Sequence, residues 1–231
     1  MREIDTTKSK SYWDSFWGTI KKQKRRITLD PRREFEAPIK LYKNIKILDA
    51  GCGLGFRAKH FRECDFFVGL DSSKGAIEVA QREFGRTYDN VAFIVGDLEH
   101  LPFKQDIFDV IIFSEVLEHI FEEKREIVLL GLLQVISSKG QMFLTTPNGM
   151  YLPILIRRIL HFLSRGLLRS TISHHIYDHP IFPSSLMKLL KNTGWNIILY
   201  KGETHIFPYT MYNSPNFILF AVLQFLITVP S

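Results

Sequence analysis

The chain has 231 residues, and 45% of them are hydrophobic, which excludes a globally disordered protein and suits one domain with additions. The formal net charge of +6 favours acidic partners such as nucleic acid or an anionic membrane surface. Two cysteines do not make a disulfide framework, and no apolar run reaches the roughly 18 residues of a membrane-spanning helix. The first residues lack the apolar stretch of a secretory signal, so we expect a cytoplasmic protein.

Residues 1–44 are predicted to form a helical N-terminal arm. From residue 45 onwards, short apolar runs alternate with helix-length segments. Strands are predicted at 45–50, 66–71, 91–97, 108–114 and 140–146, and helices at 73–84 and 115–136. This alternation is typical of a parallel sheet with helices on both faces, so the predicted fold of residues 45–147 is a doubly wound, mostly parallel, Rossmann-like α/β sheet.

The C-terminal part of the chain is predicted to add to this sheet. Residues 148–182 form a predicted helical insertion after the fifth strand, and residues 183–231 complete the domain. Within that last segment, 183–193 is predicted to be a helix and 195–201 a strand. The apolar stretch 217–229 is long for a strand and short for a membrane span, and we interpret it as a helix packed on the domain or at a membrane surface.

The first predicted strand ends in a glycine-rich loop, DAGCGLG. Gly51, Gly53 and Gly55 alternate with other residues, which keeps the backbone clear for a ligand. The dinucleotide fingerprint has the spacing G-x-G-x-x-G, whereas this loop has G-x-G-x-G and Asp49 precedes its first glycine. Because a carboxylate repels phosphate and attracts a cation, the loop predicts a ligand with an ammonium or sulfonium group. Cys52 is interpreted as a small residue that fits within the loop, not as a nucleophile.

Two more acids end the next two predicted strands. Asp71 can accept both hydroxyls of a ribose, and we place the adjacent Ser72 among the cofactor-binding residues as well. Asp97 can accept an exocyclic amine of adenine while Leu98 packs on the ring. Ligands bind beyond the carboxyl ends of the strands in such sheets, so these residues and the glycine loop predict one site.

Four motifs in this order resemble the class I S-adenosylmethionine-dependent methyltransferases. They are DAGCGLG, the GLD that ends at Asp71, GDLEHLPF and FDVIIFSEVLEH, and the resemblance covers about residues 45–147. The TTPN at 145–148 looks like the branch that contains the ubiquinone-biosynthesis O-methyltransferases. In this family a seventh strand usually closes the sheet near the C-terminus, and the sequence does not let us place it.

The resemblance implies that S-adenosylmethionine is the cofactor. It assigns the amino-acid end of the cofactor to Asp49 and the Gly51–Gly55 backbone, the ribose to Asp71, and the adenine to Asp97 with Leu98. It also implies methyl transfer to an oxygen, in preference to a nitrogen, of a small or lipid-linked acceptor.

The segment SEVLEHI follows the fourth predicted strand. If Ser114 caps a helix there, Glu115, Glu118 and His119 share one helix face, and we place Glu115 among the cofactor-binding residues. Three interpretations stay open. The acids complement the helix N-terminus electrostatically, or His119 is a catalytic general base, or all three bind a divalent metal. This E-x-x-E-H pattern resembles metal-assisted O-methyltransferases, including small-RNA 3′-end 2′-O-methyltransferases.

A metal site of this kind needs a further ligand. His174, His175 or His179 could complete it, and carboxylate-rich ligation favours Mg²⁺ or Mn²⁺ over zinc.

The insertion contains a basic amphipathic segment at 155–169. Its cationic and titratable residues occupy one arc of a helical wheel: Arg157, Arg158, His161, Arg165 and Arg169. The pattern is typical of an interfacial helix and also of a lid, so peripheral contact with an anionic membrane and packing on the domain stay open. RNA methylation and a non-catalytic, cofactor-binding subunit are alternative functions. The basic residues cluster at 21–26 and 157–169 without the series of interleaved base-stacking aromatic residues expected of single-strand binding, so nucleic acid is the less favoured partner.

Overall fold

A seven-stranded sheet organises the chain. The computed structural model describes residues 44–61, 63–148, 181–208 and 217–228. Its strands are β1 Lys46–Ala50, β2 Phe66–Asp71, β3 Val91–Val95, β4 Phe108–Ser114, β5 Ile136–Pro147, β6 Asn196–Pro208 and β7 Phe217–Thr228. They lie in the order β3-β2-β1-β4-β5-β7-β6, and the first five are mutually parallel. The predicted doubly wound α/β fold is confirmed.

Helices cover both faces of the sheet. A 3₁₀ turn covers Phe56–His60. The described α-helices are α1 Lys74–Ala80, α2 Glu122–Val135 and α3 Pro183–Asn192. A π-helical segment, Gln81–Gly85, continues α1, so the helix predicted at 73–84 is present. Among the described residues, no helix has the length and apolar character needed to span a bilayer.

The alternation of side chains along the strands produces two cores. On one face Leu48, Val68 and Ile111 pack with residues of α2 and α3, including Leu129 and Leu186. On the other face, the adjacent residues of the same strands, Ile47, Phe67 and Ile112, pack against the 3₁₀ turn and α1. The turn and the helix contribute Ala58, Ile77 and Ala80 to this core. Strands buried on both faces read as continuous apolar runs, which explains why the sequence predicts them well.

The prediction for residues 217–229 was wrong. This stretch is β7, which pairs antiparallel with β5 on one side and with β6 on the other. A central strand needs a continuous apolar run just as a buried helix does, and periodicity does not separate the two. β7 is therefore the final strand that the sequence did not place, and β6 extends well beyond the predicted 195–201.

The helix predicted at 115–136 was wrong at its start. Glu115 has a left-handed φ of 58°, a 3₁₀ turn covers Leu117–His119, and α2 begins only at Glu122. Ser114 is not a helix cap, because its hydroxyl contacts Thr145 on β5. The three titratable residues of SEVLEHI therefore do not share one face of an α-helix.

The predicted N-terminal arm, residues 1–44, lies outside the described residues except for Asn44. So does most of the predicted insertion, 148–182, including the basic segment 155–169. Both remain predictions.

Candidate functional site

The strand order reverses between β1 and β4, and the candidate site lies at the carboxyl ends of the strands around this point. The glycine loop follows β1, and Asp71 is the last residue of β2. Asp97 comes two residues after β3, and Glu115 directly follows β4. The parallel sheet thus brings the predicted site residues to one edge.

The three loop glycines all adopt left-handed backbone conformations. Their φ angles are 78° at Gly51, 53° at Gly53 and 72° at Gly55, a region that other residues enter only with strain. The amides of Gly51 and Cys52 both donate to the carbonyl of Leu70 on β2, at 2.8 and 3.0 Å. The loop is therefore fixed by its own backbone against the neighbouring strand.

Asp71 is held by main-chain amides. Its Oδ2 accepts from the Gly53 amide at 2.8 Å and its Oδ1 from the Ser73 amide at 2.9 Å. Ser73 then caps α1, with its Oγ accepting from the Ala76 amide at 3.2 Å. These two bonds hold the carboxylate at the carboxyl end of β2, where ligands bind in a sheet of this kind. Ser72 is half-buried next to this carboxylate.

Asp49 lies beneath the glycine loop and is fully buried. Its Oδ1 is 3.3 Å from Nη1 of Arg57, which is also buried. The sequence-based prediction that Asp49 presents its charge to a cationic ligand did not include this guanidinium. In the folded chain the carboxylate is ion-paired within the protein.

The third acid is the most exposed of the set. Asp97 lies on the surface, and its Oδ1 accepts from the Glu99 amide at 2.9 Å. Leu98 is half-buried and packs against the core. Lys124 of α2 reaches Glu99 at 2.6 Å and ties this turn to the helix. An exposed acid followed by a partly exposed apolar side chain fits the predicted contact with adenine.

Two threonines at the end of β5 hold the acids that follow β4. Thr145 donates to Glu115 Oε1 at 3.0 Å, and Thr146 donates to Glu118 Oε2 at 3.0 Å. Glu118 is 2% exposed, and its Oε1 lies 3.9 Å from Nε2 of His119, longer than a hydrogen bond. The side chain of His119 is 22% exposed, so a polar group with access to the site stands beside a buried carboxylate.

Within the part of the chain that the structure describes, no three metal-ligating side chains converge on a point. Glu115 and Glu118 accept hydrogen bonds from threonines, and the histidines that were expected to complete the site, His174, His175 and His179, lie outside the described residues.

The thiol of Cys52, in the glycine loop, has low reactivity. Burial, followed by the charges of Asp49 and Asp71, raises the pKa of Cys52 well above its ordinary value. Burial also raises the pKa of Cys64 to about 11. Both cysteines are free thiols and stay protonated at neutral pH. Because the thiolate is the nucleophilic form, this agrees with the interpretation that Cys52 is not a nucleophile.

Sequence reasoning missed three contacts of this site. Arg57 was not singled out, because Lys59 and Arg62 follow it closely and the sequence does not tell which of these cations folds back to Asp49. Thr145 and Thr146 were noted only within the TTPN motif. Their roles depend on the pairing of β4 with β5, where Ser114 is opposite Thr145, and no local pattern reports that register.

Comparison with known proteins gives one family. Residues 41–198 match the model of the methyltransferase domain. A ubiquinone biosynthesis O-methyltransferase from Bartonella quintana is 28% identical over 170 residues. The match covers 71% of this chain and 65% of that relative, so the chain spans just under two thirds of the relative's length.

Solved structures share the fold at lower identity. A SAM-dependent methyltransferase from Anabaena variabilis superposes with a TM-score of 0.70 and 18% identity, covering 99% of this chain and 96% of the other. A magnesium protoporphyrin IX methyltransferase from Synechocystis, solved with bound SAH, superposes with a TM-score of 0.68 and 16% identity, covering 97% of this chain and 100% of the other.

Proposed function

Because this chain belongs to the methyltransferase-domain family, we propose that it transfers the methyl group of S-adenosylmethionine to an oxygen of a small or lipid-linked acceptor. The observation that carries the proposal is the set of acids at the carboxyl edge of the sheet. Asp71 is fixed at the carboxyl end of β2 by two backbone amides, and Asp97 is exposed beside Leu98. These residues fit the ribose and the adenine of the cofactor.

Bound in this place, the cofactor supplies a methyl group already activated by a sulfonium. The chain then has to position the acceptor and keep water away from it. The glycine loop offers backbone to the amino-acid end of the cofactor, with Asp49 and Arg57 beneath it. Glu115 directly follows β4 and accepts a hydrogen bond from Thr145 of β5, so it belongs to the part of the site at the ends of these two strands.

An oxygen acceptor loses a proton during the transfer, so a base assists. His119 fits this role because it is partly exposed and Glu118 beside it is nearly fully buried. Thr146 in turn fixes Glu118. We propose that His119 takes the proton and that Glu118 stabilises the resulting imidazolium.

The choice of acceptor rests on the relatives. The Bartonella protein is named for ubiquinone biosynthesis, which supports an oxygen acceptor attached to a lipid-like chain. For such an acceptor, contact with the inner face of a membrane is a useful property, and the basic segment 155–169 would provide it. We propose a cytoplasmic enzyme in peripheral contact with anionic lipid.

The test is a transfer assay with S-adenosylmethionine labelled in its methyl group, run on lipid, quinone, glycan and RNA extracts. Label in the lipid or quinone fraction, lost in the Asp71→Ala variant, supports the proposal. Label in RNA, with binding to RNA oligomers that falls steeply with salt, supports the alternative function instead. Cofactor binding without transfer to any fraction is the outcome expected of a non-catalytic subunit.

Membrane contact has its own test. The chain should sediment with anionic but not with neutral vesicles, and both salt and the charge reversal Arg157→Glu, Arg158→Glu, Arg165→Glu should weaken the binding. Equal and negligible sedimentation with both vesicle types would leave the basic segment as a lid.

A further inference from the structure

The ion pair between Asp49 and Arg57 spans the whole glycine loop. Asp49 lies near the end of β1, and Arg57 lies in the 3₁₀ turn that begins directly after Gly55. All three glycines are between them in sequence. The contact of 3.3 Å between Arg57 Nη1 and Asp49 Oδ1 therefore ties the two ends of the loop together beneath it.

Stability alone does not explain this pair. Asp49 is 0% and Arg57 5% exposed, so both charges have lost most of their hydration. Burying two charges costs several kcal/mol, and apolar residues of similar volume often replace such pairs without loss. The core on the same face of the sheet is apolar around the pair, for example at Ile47 and Ala58, so an apolar pair would suit the surroundings.

The charges of the pair reach the loop. At Cys52, in the middle of the loop, the carboxylates of Asp49 and Asp71 raise the pKa of the thiol, whereas Arg57 lowers it. A ligand on the loop is therefore exposed to the balance between Asp49 and Arg57. This balance matters for the two forms of the cofactor, since S-adenosylmethionine has a cationic sulfonium and its demethylated product, S-adenosylhomocysteine, has a neutral sulfur.

We propose that Asp49 and Arg57 form a charge-neutral positioning pair that holds the glycine loop and sets the preference of the site for the cationic cofactor over its neutral product. The inference rests on the proposed function, because it takes this cofactor as the ligand. Arg57 acts through Asp49 and the loop, and its role is positioning and electrostatic tuning.

The experiment measures the affinities of both ligands by calorimetry at pH 8 for the wild-type chain, Asp49→Asn, Arg57→Met and the double variant. Asp49→Asn removes the carboxylate but keeps the guanidinium, which does not deprotonate. It should lower the ratio of cofactor to product affinity by about 10- to 20-fold, the effect of one charge roughly 10 Å away at an effective dielectric constant of about 20. Arg57→Met should shift the ratio in the opposite direction.

The double variant is the decisive one. It restores a neutral pair, so its affinity ratio should lie closer to the wild-type value than the ratio of either single variant, although the effects of residues in contact do not simply add. Because both ligands occupy the same site, the ratio cancels general damage to folding. Arg82→Met, which removes an exposed cation paired with Glu83 outside the loop, is the control and should leave the ratio unchanged.

Three outcomes overturn the inference or separate it from the proposed function. Equal loss of preference in Asp49→Asn and the double variant would mean that Asp49 contacts the ligand directly. Unchanged ratios in all variants would reduce the pair to a structural one. If the wild-type chain binds neither ligand, the proposed function fails and the tuning role with it. In that case thermal unfolding still tests whether the ion pair holds the two ends of the loop together. If it does, the double variant should be more stable than either single variant.

Discussion

The two halves of the site hold their acids in different ways. On the cofactor half, at the ends of β1 and β2, Asp71 is fixed by the amides of Gly53 and Ser73. On the acceptor half, at the ends of β4 and β5, Glu115 and Glu118 are fixed by the hydroxyls of Thr145 and Thr146. One half depends on backbone conformation, and the other depends on side chains that single substitutions can remove.

This difference suggests that the two halves respond differently to substitution. A contact made by the backbone survives most substitutions of the donor residue, as is suited to a ligand that stays the same. A contact made by a side chain can be changed without disturbing the sheet, as is suited to an acceptor that differs between related enzymes. The comparison predicts that variants on the acceptor half change turnover, whereas variants on the cofactor half change ligand affinity or stability.

The largest effect is expected on the acceptor half, at His119. If His119 is the general base, His119→Ala should lower kcat by about 10²–10⁴-fold. The affinity for S-adenosylmethionine should stay unchanged, because the cofactor contacts lie on the other half. His100→Ala, at an exposed histidine near Asp97, is the control and should be neutral.

The same assay with EDTA separates two interpretations of this histidine. Loss of activity in His119→Ala together with indifference to EDTA agrees with the base. Abolition by EDTA and recovery with Mg²⁺ or Mn²⁺ would favour a metal, and full activity in both tests would leave Glu115, Glu118 and His119 with neither a catalytic nor a metal-binding role.

The second prediction concerns the cofactor half. Asp71→Ala removes the acceptor of two amides and of the ribose hydroxyls, and it should weaken cofactor binding by about 1–3 kcal/mol. Calorimetry measures this directly. Asp65→Ala is the matched control, because Asp65 is an exposed acid at the opposite end of the same strand. Unchanged affinity in Asp71→Ala would remove this residue from the ribose site.

The cofactor half was also the half that the sequence predicts well. β2 has the predicted bounds, since it is a largely apolar run that ends in a polar residue, Asp71. The position of Asp71 at the ligand edge could be predicted, because the carboxyl end of a parallel strand faces that edge, and its contact with the ribose stays a prediction. The partner of Asp49 could not be assigned, since it requires the turn after Gly55 to fold back under the loop.

The failures on the acceptor half have physical causes as well. Glu115 has a left-handed backbone conformation, which sequence alone does not predict for a glutamate. In this conformation its amide donates to the carbonyl of Thr145 at 2.9 Å. β7 was taken for a helix because a strand with partners on both sides shows no polar alternation. Contacts between distant segments decided both cases.

The third prediction tests the dependence of the cofactor half on its backbone. A Cβ at Gly51 would lie 2.4 Å from Cγ2 of Val116, at a φ of 78°. Gly51→Ala should therefore lower the free energy of unfolding by about 2 kcal/mol, part of it backbone strain and part steric overlap. Chemical denaturation measures the loss. Val116→Ala in the same chain should recover the steric part only, and complete recovery would contradict the claim of strain.

The smallest effect isolates one hydroxyl on the acceptor half. Thr146→Val keeps the shape of the side chain but removes the donor to Glu118, a carboxylate that is 2% exposed. It should lower the free energy of unfolding by about 1 kcal/mol and reduce kcat, while cofactor affinity stays the same. Thr146→Ser keeps the hydroxyl and is the matched control, so it should retain most of both quantities. If valine and serine behave alike, the hydroxyl does not position Glu118, and the contrast between a backbone-held and a side-chain-held half does not extend to this residue.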